Sequence, residues 1–353
     1  MPALSLPGFV NAHSHAFQRA MRGREEGGDF WAWREAMLAE ADGLSPERVR
    51  GLYAAVYREM LAAGFTAVGE FHYVGFEEAL AAAEAATEAA IELRLLYAAY
   101  GQGGIPRFRQ ESVTEYLQAV ERLAESGVPV GLAPHSVRAC PPAWLAELAR
   151  YADREGLVLH VHADEQPREI AECLAEHGKR PIELLADAGC LGPRTTIVHA
   201  THASDGELDL LAAAGAGVCV CPTTEANLGD GFVPVGRLLE RGIRLSIGSD
   251  SNVRIDPLEE LRELEGIARR QALRRNVIAP AELLRIGSEG GALALGLGKW
   301  AEIEIDLDHR SLDGVAPDAI PGALVFGCAA DVVGKGEARA ADAEGGRGGS
   351  SRP

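Results

Sequence analysis

The sequence predicts an α/β fold, a (β/α)8 barrel, from three observations. Eight short apolar runs alternate with helical stretches along the 353 residues. These runs are typical of strands that are buried on both faces of a parallel sheet. Almost every run ends in His, Glu, Tyr, Ser or Asp, and in a barrel those ends converge on the mouth where active sites lie. A doubly wound sheet is the competing architecture, which the number of strands alone does not exclude.

The predicted strands are followed by segments that carry residues typical of helix starts and helix ends. Ser45 and Pro46 are typical of an N-cap followed by a proline in the first helical turn. Ser204 and Glu207 form a capping-box pattern ahead of a helix that Gly215 terminates. The eight predicted strands span residues 7–15, 65–74, 92–100, 128–136, 157–165, 195–202, 216–224 and 243–251.

Composition and charge narrow the class of protein. The chain is 47% hydrophobic and 24% charged, as expected for a globular enzyme. Its net charge of -18 argues against nucleic acid or an anionic membrane as the main partner. No apolar run reaches the roughly 18 residues of a membrane span. The six cysteines form no CxxC pair, which favours reduced cysteines and a cytoplasmic location.

The most specific local motif is His13-Ser14-His15, at the end of the first predicted strand. Residues two apart on a strand point to the same side, so both imidazoles can reach one metal ion. The alternative interpretation is a polar strand end that carries two solvated histidines.

Further strand ends add to this motif. His162 and Glu165 form an HxxE pattern after the fifth strand, His199 ends the sixth, and Asp250 ends the eighth. Histidines with one aspartate suit a catalytic divalent ion that keeps a position open for water. Glu165, three residues after His162, is expected to lie next to the metal and to transfer a proton during the reaction. Asp250 taken alone would merely cap a turn.

The remaining histidines have simpler interpretations. His160 is expected to point away from the metal, as a packed residue. The others are expected in a loop or at the surface: His202, His177 and His309.

The order of these motifs is similar to that of a known family. The HxH pair, the histidines on strands five and six and the final aspartate resemble the amidohydrolase superfamily, and HxxE resembles its deaminase and chlorohydrolase branch. Longer strings resemble the formimidoylglutamate deiminases within it. These strings are LPGFVNAHSHAFQRAMRG, WAWREAM, GEFHYV, GLAPHSVRAC, HVHADEQ, IVHATH, CPTTEANLGDG and SDSNVRIDPLEELR.

The resemblance implies a mechanism. Asp250 would accept a proton from the attacking water, Glu165 would pass a proton to the departing nitrogen, and His199 would stabilise developing charge. The implied reaction converts N-formimino-L-glutamate to N-formyl-L-glutamate and ammonia, a step of histidine degradation. The implied ligands of one divalent ion per chain, expected to be zinc, are His13, His15, His162 and Asp250.

The resemblance also implies how this small-molecule substrate binds. Two buried carboxylates need directional donors, and Arg138 matches a carboxylate-binding position of the family. Arg34 is equally well interpreted as a surface arginine on a helix. The other expected substrate contacts are Gln18, Tyr73 and His135, and lining residues without an assigned role are Ser136, Thr223, Glu225 and Asn227.

The family also implies the domain organisation. We expect the barrel over residues 1–300, a remnant of a small β-sandwich over 301–333 and a disordered Gly- and Ala-rich tail over 334–353. Because the first predicted strand starts at residue 7, the N-terminal part of that sandwich is expected to be missing. A homodimer is expected from the resemblance alone.

Two other functions stay open. Another deaminase of the branch, acting on guanine or an adenosine-like molecule, would need aromatic stacking, for which Phe71 and Tyr73 are available. A truncated, catalytically inactive barrel would be expected to lack a metal ligand, and none is missing from the sequence.

Overall fold

The computed structural model describes residues 3–24 and 27–334. Ten strands lie in this part of the chain, eight in one parallel sheet and two in a small antiparallel sheet. In chain order they are β1 (Ala3–Pro7), β2 (Phe9–Ser14), β3 (Phe65–His72), β4 (Glu92–Ala99), β5 (Val130–Pro134), β6 (Leu159–Ala163), β7 (Thr195–His199), β8 (Gly217–Val220), β9 (Arg244–Ile247) and β10 (Glu302–Asp306).

Helices connect the parallel strands and cover the outside of the sheet. In the same part of the chain they are α1 (Phe30–Asp42), α2 (Pro46–Ala62), α3 (Phe76–Ala89), α4 (Val113–Glu125), α5 (Pro142–Glu155), α6 (Pro167–His177), α7 (Pro181–Asp187), α8 (Asp205–Ala214), α9 (Pro222–Leu228), α10 (Val235–Glu240), α11 (Pro257–Ala272), α12 (Pro280–Arg285), α13 (Gly291–Leu295) and α14 (Ile320–Gly327). A π-helical turn, Ile286–Gly290, joins α12 to α13. None of the helices described is long and apolar enough to cross a membrane.

The parallel sheet is a barrel whose strand order from β2 to β9 is the order of the chain. Its two end strands meet at the mouth, where Ser14 and Asp250 form a parallel bridge. The amide of His15 donates to the carbonyl of Asp250 at 2.8 Å, and the amide of Asp250 donates to the carbonyl of His13 at 3.0 Å. The predicted (β/α)8 barrel is thus confirmed, and the doubly wound alternative is wrong.

The predicted strands contain all eight barrel strands, but they extend too far at the mouth. Left-handed backbone at His199 (φ 75°) and Ala200 (φ 54°) ends β7. The predicted strand 216–224 is too long because Pro222 begins α9. Proline suits the first turn of a helix, where its missing N–H costs nothing.

The predicted helix caps are confirmed. The side chain of Ser45 accepts a hydrogen bond from the amide of Arg48 at the start of α2. Ser204 and Glu207 form a reciprocal capping box at the start of α8, and Gly215 ends that helix with a φ of 68°.

Beside the barrel lies the small sheet, in which β1 pairs antiparallel with β10 from Ala3↔Asp306 to Pro7↔Glu302. No strand was predicted ahead of the HxH strand, so the strand formed by residues 3–7 was missed. In the segment 301–333, where a β-sandwich remnant was predicted, β10 is followed by 3-10 turns and α14. The predicted tail lies outside the described residues, apart from Gly334.

Candidate metal centre

Four predicted metal ligands meet at the mouth of the barrel. His13 and His15 lie at the end of β2, His162 on β6, and Asp250 just after β9. All four side chains are buried, and their ligand atoms lie within 4.8 Å of one another. The Nε2 atoms of His13 and His162 are 3.0 Å apart. Asp250 Oδ1 lies 3.5 Å from Nε2 of His13 and of His15.

Backbone carbonyls hold two of these rings in the orientation that a metal ligand needs. Nδ1 of His15 faces the carbonyl of Phe71 at 2.9 Å, and Nδ1 of His162 faces the carbonyl of His135 at 3.0 Å. A carbonyl only accepts, so each Nδ1 carries the hydrogen and each Nε2 presents its lone pair to the cluster. Nδ1 of His13 is buried and has no hydrogen-bond partner within the described residues.

The protonation states also suit a metal ion. Burial lowers the pKa of His13 to about 3, and burial likewise lowers the pKa of His15 and of His162. Burial alone would raise the pKa of Asp250, but a hydrogen bond to His13 and the nearby imidazoles hold it below its usual range. Three neutral imidazoles and one carboxylate are the donor set that binds zinc in catalytic sites. The residues present therefore fit a divalent cation.

Two ionisable side chains stand on the open side of this cluster. His199 Nε2 lies 3.7 Å from Glu165 Oε1 and 3.8 Å from Asp250 Oδ2. Burial would lower the pKa of His199, but the carboxylates of Glu165, Glu225 and Asp250 raise it well above its ordinary value. Burial raises the pKa of Glu165, a shift that His199 and Arg138 oppose. His199 is thus a hydrogen-bond donor that favours its protonated form, and Glu165 is a carboxyl group whose pKa is raised.

Glu225 has a role that the sequence did not indicate. Its Oε1 accepts from Nδ1 of His199 at 3.2 Å and from the amide of Cys221 at 3.0 Å. Glu225 is buried in the first turn of α9, so it fixes the ring of His199 from behind. No sequence pattern reveals this contact, because Glu225 lies four residues after the N-cap Cys221 rather than at the capping-box spacing of three.

A cavity that is open to solvent at its mouth leads to the cluster. Rings and a thioether from α1 form one wall: Phe30, Trp31, Trp33 and Met37. This wall was not predicted, because local sequence does not show where a helix after a loop will lie. All five predicted substrate contacts also line the cavity: Gln18, Arg34, Tyr73, His135 and Arg138.

Two sets of polar contacts lie in the cavity, one between Arg138 and two glutamates and one between Gln18 and Tyr73. Its Nη2 lies 3.5 Å from Glu165 Oε2, and its Nε lies 3.5 Å from Glu169 Oε1. Gln18 donates from Nε2 to the hydroxyl of Tyr73 at 3.0 Å, while its Oε1 has no hydrogen-bond partner in the described part of the chain. Arg138 is therefore a cation within reach of both the proton carrier and the cavity.

Other predicted residues lie around the site or away from it. Ser136 lines the cavity, whereas Thr223 donates to Glu260 and Asn227 lines a neighbouring cavity. The prediction that His160 points away from His162 is wrong, because residues two apart on a strand share a side. His160 is nevertheless outside the four-ligand group, since its Nε2 lies 2.9 Å from the carbonyl of Ala294.

Comparison with known proteins agrees with this geometry. The sequence model of the amidohydrolase family matches residues 4–305. Formimidoylglutamate deiminase of Pseudomonas aeruginosa is 40% identical, over 82% of this chain and 72% of its own length. A 5-methylthioadenosine/S-adenosylhomocysteine deaminase of Natronomonas pharaonis is 31% identical, over 87% of this chain and 74% of its own. The crystal structure of an amidohydrolase from Brucella melitensis is 33% identical, with a TM-score of 0.84, and covers 93% of this chain and 84% of that chain.

Proposed function

The chain belongs to the amidohydrolase family of metal-dependent hydrolases, and we propose that it hydrolyses N-formimino-L-glutamate to N-formyl-L-glutamate and ammonia. One observation carries the choice of substrate. Arg34 and Arg138 line the cavity that leads to the four-ligand cluster. In a chain with a net charge of -18, two guanidinium groups at one cavity suit a substrate with two carboxylates.

We propose that His13, His15, His162 and Asp250 hold one Zn²⁺ ion. When bound, such a cation lowers the pKa of a water ligand to about 7, so that hydroxide is available at neutral pH. The residues around it then have separate tasks: binding the substrate, moving protons and stabilising the charge that forms.

Protons move through two carboxylates in this proposal. Asp250, itself one of the four proposed ligands, accepts a proton from the attacking water. Glu165 transfers a proton to the formimino nitrogen, so that ammonia leaves rather than an amide anion. Burial raises the pKa of Glu165, which favours the protonated form that this transfer requires.

His199 stabilises the oxygen that water brings to the carbon. Three carboxylates keep its imidazole protonated, and the bond from Nδ1 to Glu225 leaves Nε2 to donate into the site. One C–O bond forms at the formimino carbon and the bond to the terminal nitrogen breaks. One water is consumed and one ammonia is released, so the atoms balance.

The aromatic wall favours a second candidate. Trp31 and Trp33 line the cavity, and a nucleobase could stack on rings of this kind. The Natronomonas relative is named as a deaminase of adenosine derivatives. An adenine-type substrate would bring no carboxylate to Arg34 and Arg138, which makes it the weaker proposal.

An ammonia-release assay on the zinc-loaded chain tests both candidates. The panel is N-formimino-L-glutamate, N-formimino-L-aspartate, guanine and 5-methylthioadenosine. We expect the highest kcat/KM with N-formimino-L-glutamate. Turnover of a nucleobase compound alone would overturn the substrate, and a chain that binds zinc but turns over nothing would support an inactive barrel.

A further inference from the structure

A second group of potential ligands adjoins the first. His199 ends β7, Cys221 follows β8 and Asp250 follows β9. All three are buried, and one nitrogen, one sulfur and one carboxylate oxygen lie within 4.8 Å of one another. Asp250 belongs to both groups.

The two carboxylate oxygens of Asp250 face different neighbours. Oδ1 lies 3.5 Å from Nε2 of His13 and of His15, and Oδ2 lies 3.8 Å from Nε2 of His199. A carboxylate placed in this way can ligate two cations, one through each oxygen, as in sites whose metals are about 3.5–4 Å apart. The geometry therefore leaves a second position on the His199 side of Asp250.

Cys221 determines which cation would suit that position. Its thiol has no task in the proposed reaction, and thiolate is the soft ligand that selects thiophilic ions. We propose that His199, Cys221 and Asp250 form a second, inhibitory site for a thiophilic divalent cation, such as Cd²⁺ or excess Zn²⁺. The cation replaces the thiol proton of Cys221 and the Nε2 proton of His199, and both protons are released to the buffer.

Inhibition follows from the residues that the second cation would occupy. His199 would lose its role as a donor, and Asp250 could no longer accept a proton from water. This consequence rests on the proposed function. The binding itself rests only on the three side chains, so it can be measured without any substrate.

The test uses Cd²⁺ on the full chain already loaded with Zn²⁺. Equilibrium dialysis followed by elemental analysis counts both metals, and ultraviolet absorption detects a cadmium–thiolate band. We expect one Cd²⁺ to bind while one Zn²⁺ is kept, the band to appear and turnover to fall. Uptake of no Cd²⁺, or exchange of Cd²⁺ for Zn²⁺ with the total unchanged, overturns the site without reference to any variant.

Cys190 supplies a matched comparison for Cys221. Both side chains are buried, at 3% and 0% exposure, but only Cys221 belongs to the second group. Cys221→Ser and Cys221→Ala should weaken Cd²⁺ binding at least ~10-fold, since loss of a ligand costs no less than loss of its supporting contacts. Cys190→Ser should bind Cd²⁺ as the unaltered chain does.

Zinc content identifies variants that are still folded at the first site. Full Cd²⁺ binding and the thiolate band in either Cys221 variant would overturn the assignment. Cd²⁺ binding without any turnover of N-formimino-L-glutamate would contradict the proposed reaction but support the second metal site.

Discussion

His199 is the residue on which the charges of the cavity converge. It faces Glu165 and Asp250 on one side, at 3.7 and 3.8 Å, and Glu225 on the other at 3.2 Å. Its burial opposes the protonated form, and these carboxylates more than offset that effect. A donor that stays charged when buried can stabilise negative charge in a medium of low polarity better than in water.

Replacing Glu225 with Gln should shift the alkaline limb of the pH–kcat profile to lower pH. The amide oxygen can still accept from Nδ1 of His199, but a carboxylate that raises the pKa of His199 is gone. Activity that needs protonated His199 is present below this pKa and is lost as pH rises through it. A charge within hydrogen-bond distance shifts a pKa by roughly 1–3 units, which sets the expected displacement.

The control is Glu172→Gln, which removes an acid of the same cavity that pairs with Arg168. Its alkaline limb should stay where it is in the unaltered chain. If Glu225→Gln left the limb in place and merely lowered the melting temperature, Glu225 would be a structural residue.

Arg138→Ala should cut kcat/KM for N-formimino-L-glutamate far more than it changes zinc content. A hydrogen bond to a charged group is worth about 1.5–3 kcal/mol, or roughly 10- to 150-fold in kcat/KM. Arg138→Lys should recover part of this loss, since the charge stays while the planar fork is lost. Steady-state kinetics and zinc analysis on the same preparations supply both quantities.

The matched variant Arg154→Ala removes an exposed guanidinium that pairs with the neighbouring Glu155. Its kcat/KM should equal that of the unaltered chain. If Arg138→Ala lost zinc in proportion to activity, Arg138 would support the metal cluster through Glu165 and Glu169 rather than bind substrate.

At the scale of elements, the position of His13 in the metal cluster depends on the close approach of β2 and the residue after β9, Gly248. A Cβ on Gly248 would lie 2.7 Å from the carbonyl oxygen of His13 and 2.9 Å from its Cβ. Both atoms belong to a strand that is paired on its other side to β3, so it cannot move away cheaply. Glycine at 248 therefore allows the barrel to close next to its first metal ligand.

Gly248→Ala should lower the free energy of unfolding by about 1–3 kcal/mol, the usual cost of overpacking. It should also weaken zinc binding, because His13 has to shift. Urea unfolding and a competitive zinc titration measure the two effects. Gly51→Ala in α2 is the control, since a Cβ there meets nothing within 4 Å. That variant should be more stable by about 0.5–1 kcal/mol, and equal effects at both positions would contradict the closure argument.

The elements differ in how well the sequence predicts them. The barrel strands were predicted because burial on both faces leaves a continuous apolar run, and the caps because their residues contact their own helix. The strand β1 was missed because its partner, β10, lies almost 300 residues away. The residues of the segment ALSLP do not by themselves indicate that it pairs with β10. The predicted ends of β7 and β8 lie too far along the chain. Left-handed backbone at His199 and Ala200 ends β7, and the helix that begins at Pro222 follows β8 directly.

At the scale of the whole molecule, the barrel turns residues that are far apart in the chain into one site. His13, His162 and Asp250 could be grouped from the sequence because strand ends of a barrel share one mouth. Glu225 and the rings of α1 could not, since their place depends on how α9 and α1 pack. The sequence therefore predicts which chemistry reaches the mouth better than it predicts what surrounds it.

Removal of the metal should lower the stability of the whole barrel rather than that of one loop. The four proposed ligands come from β2, β6 and the turn after β9, so an ion held by them links three points of the sheet. Binding to the folded state alone stabilises by about 2.7 kcal/mol at a free ion concentration 100 times Kd. We expect chelation to lower the melting temperature in a single transition and added Zn²⁺ to restore it.

Two histidines on β6 show whether that stabilisation comes from the cluster. His162→Ala removes a proposed ligand and should abolish the difference between the metal-free and zinc-loaded melting temperatures. His160 is equally part of the strand, but its Nε2 lies against the carbonyl of Ala294 and it does not belong to the four-ligand group. His160→Ala should therefore destabilise both forms and keep the difference between them. If both variants lost the difference, zinc would be acting through general stability of β6, and the assignment of His162 as a ligand would fail.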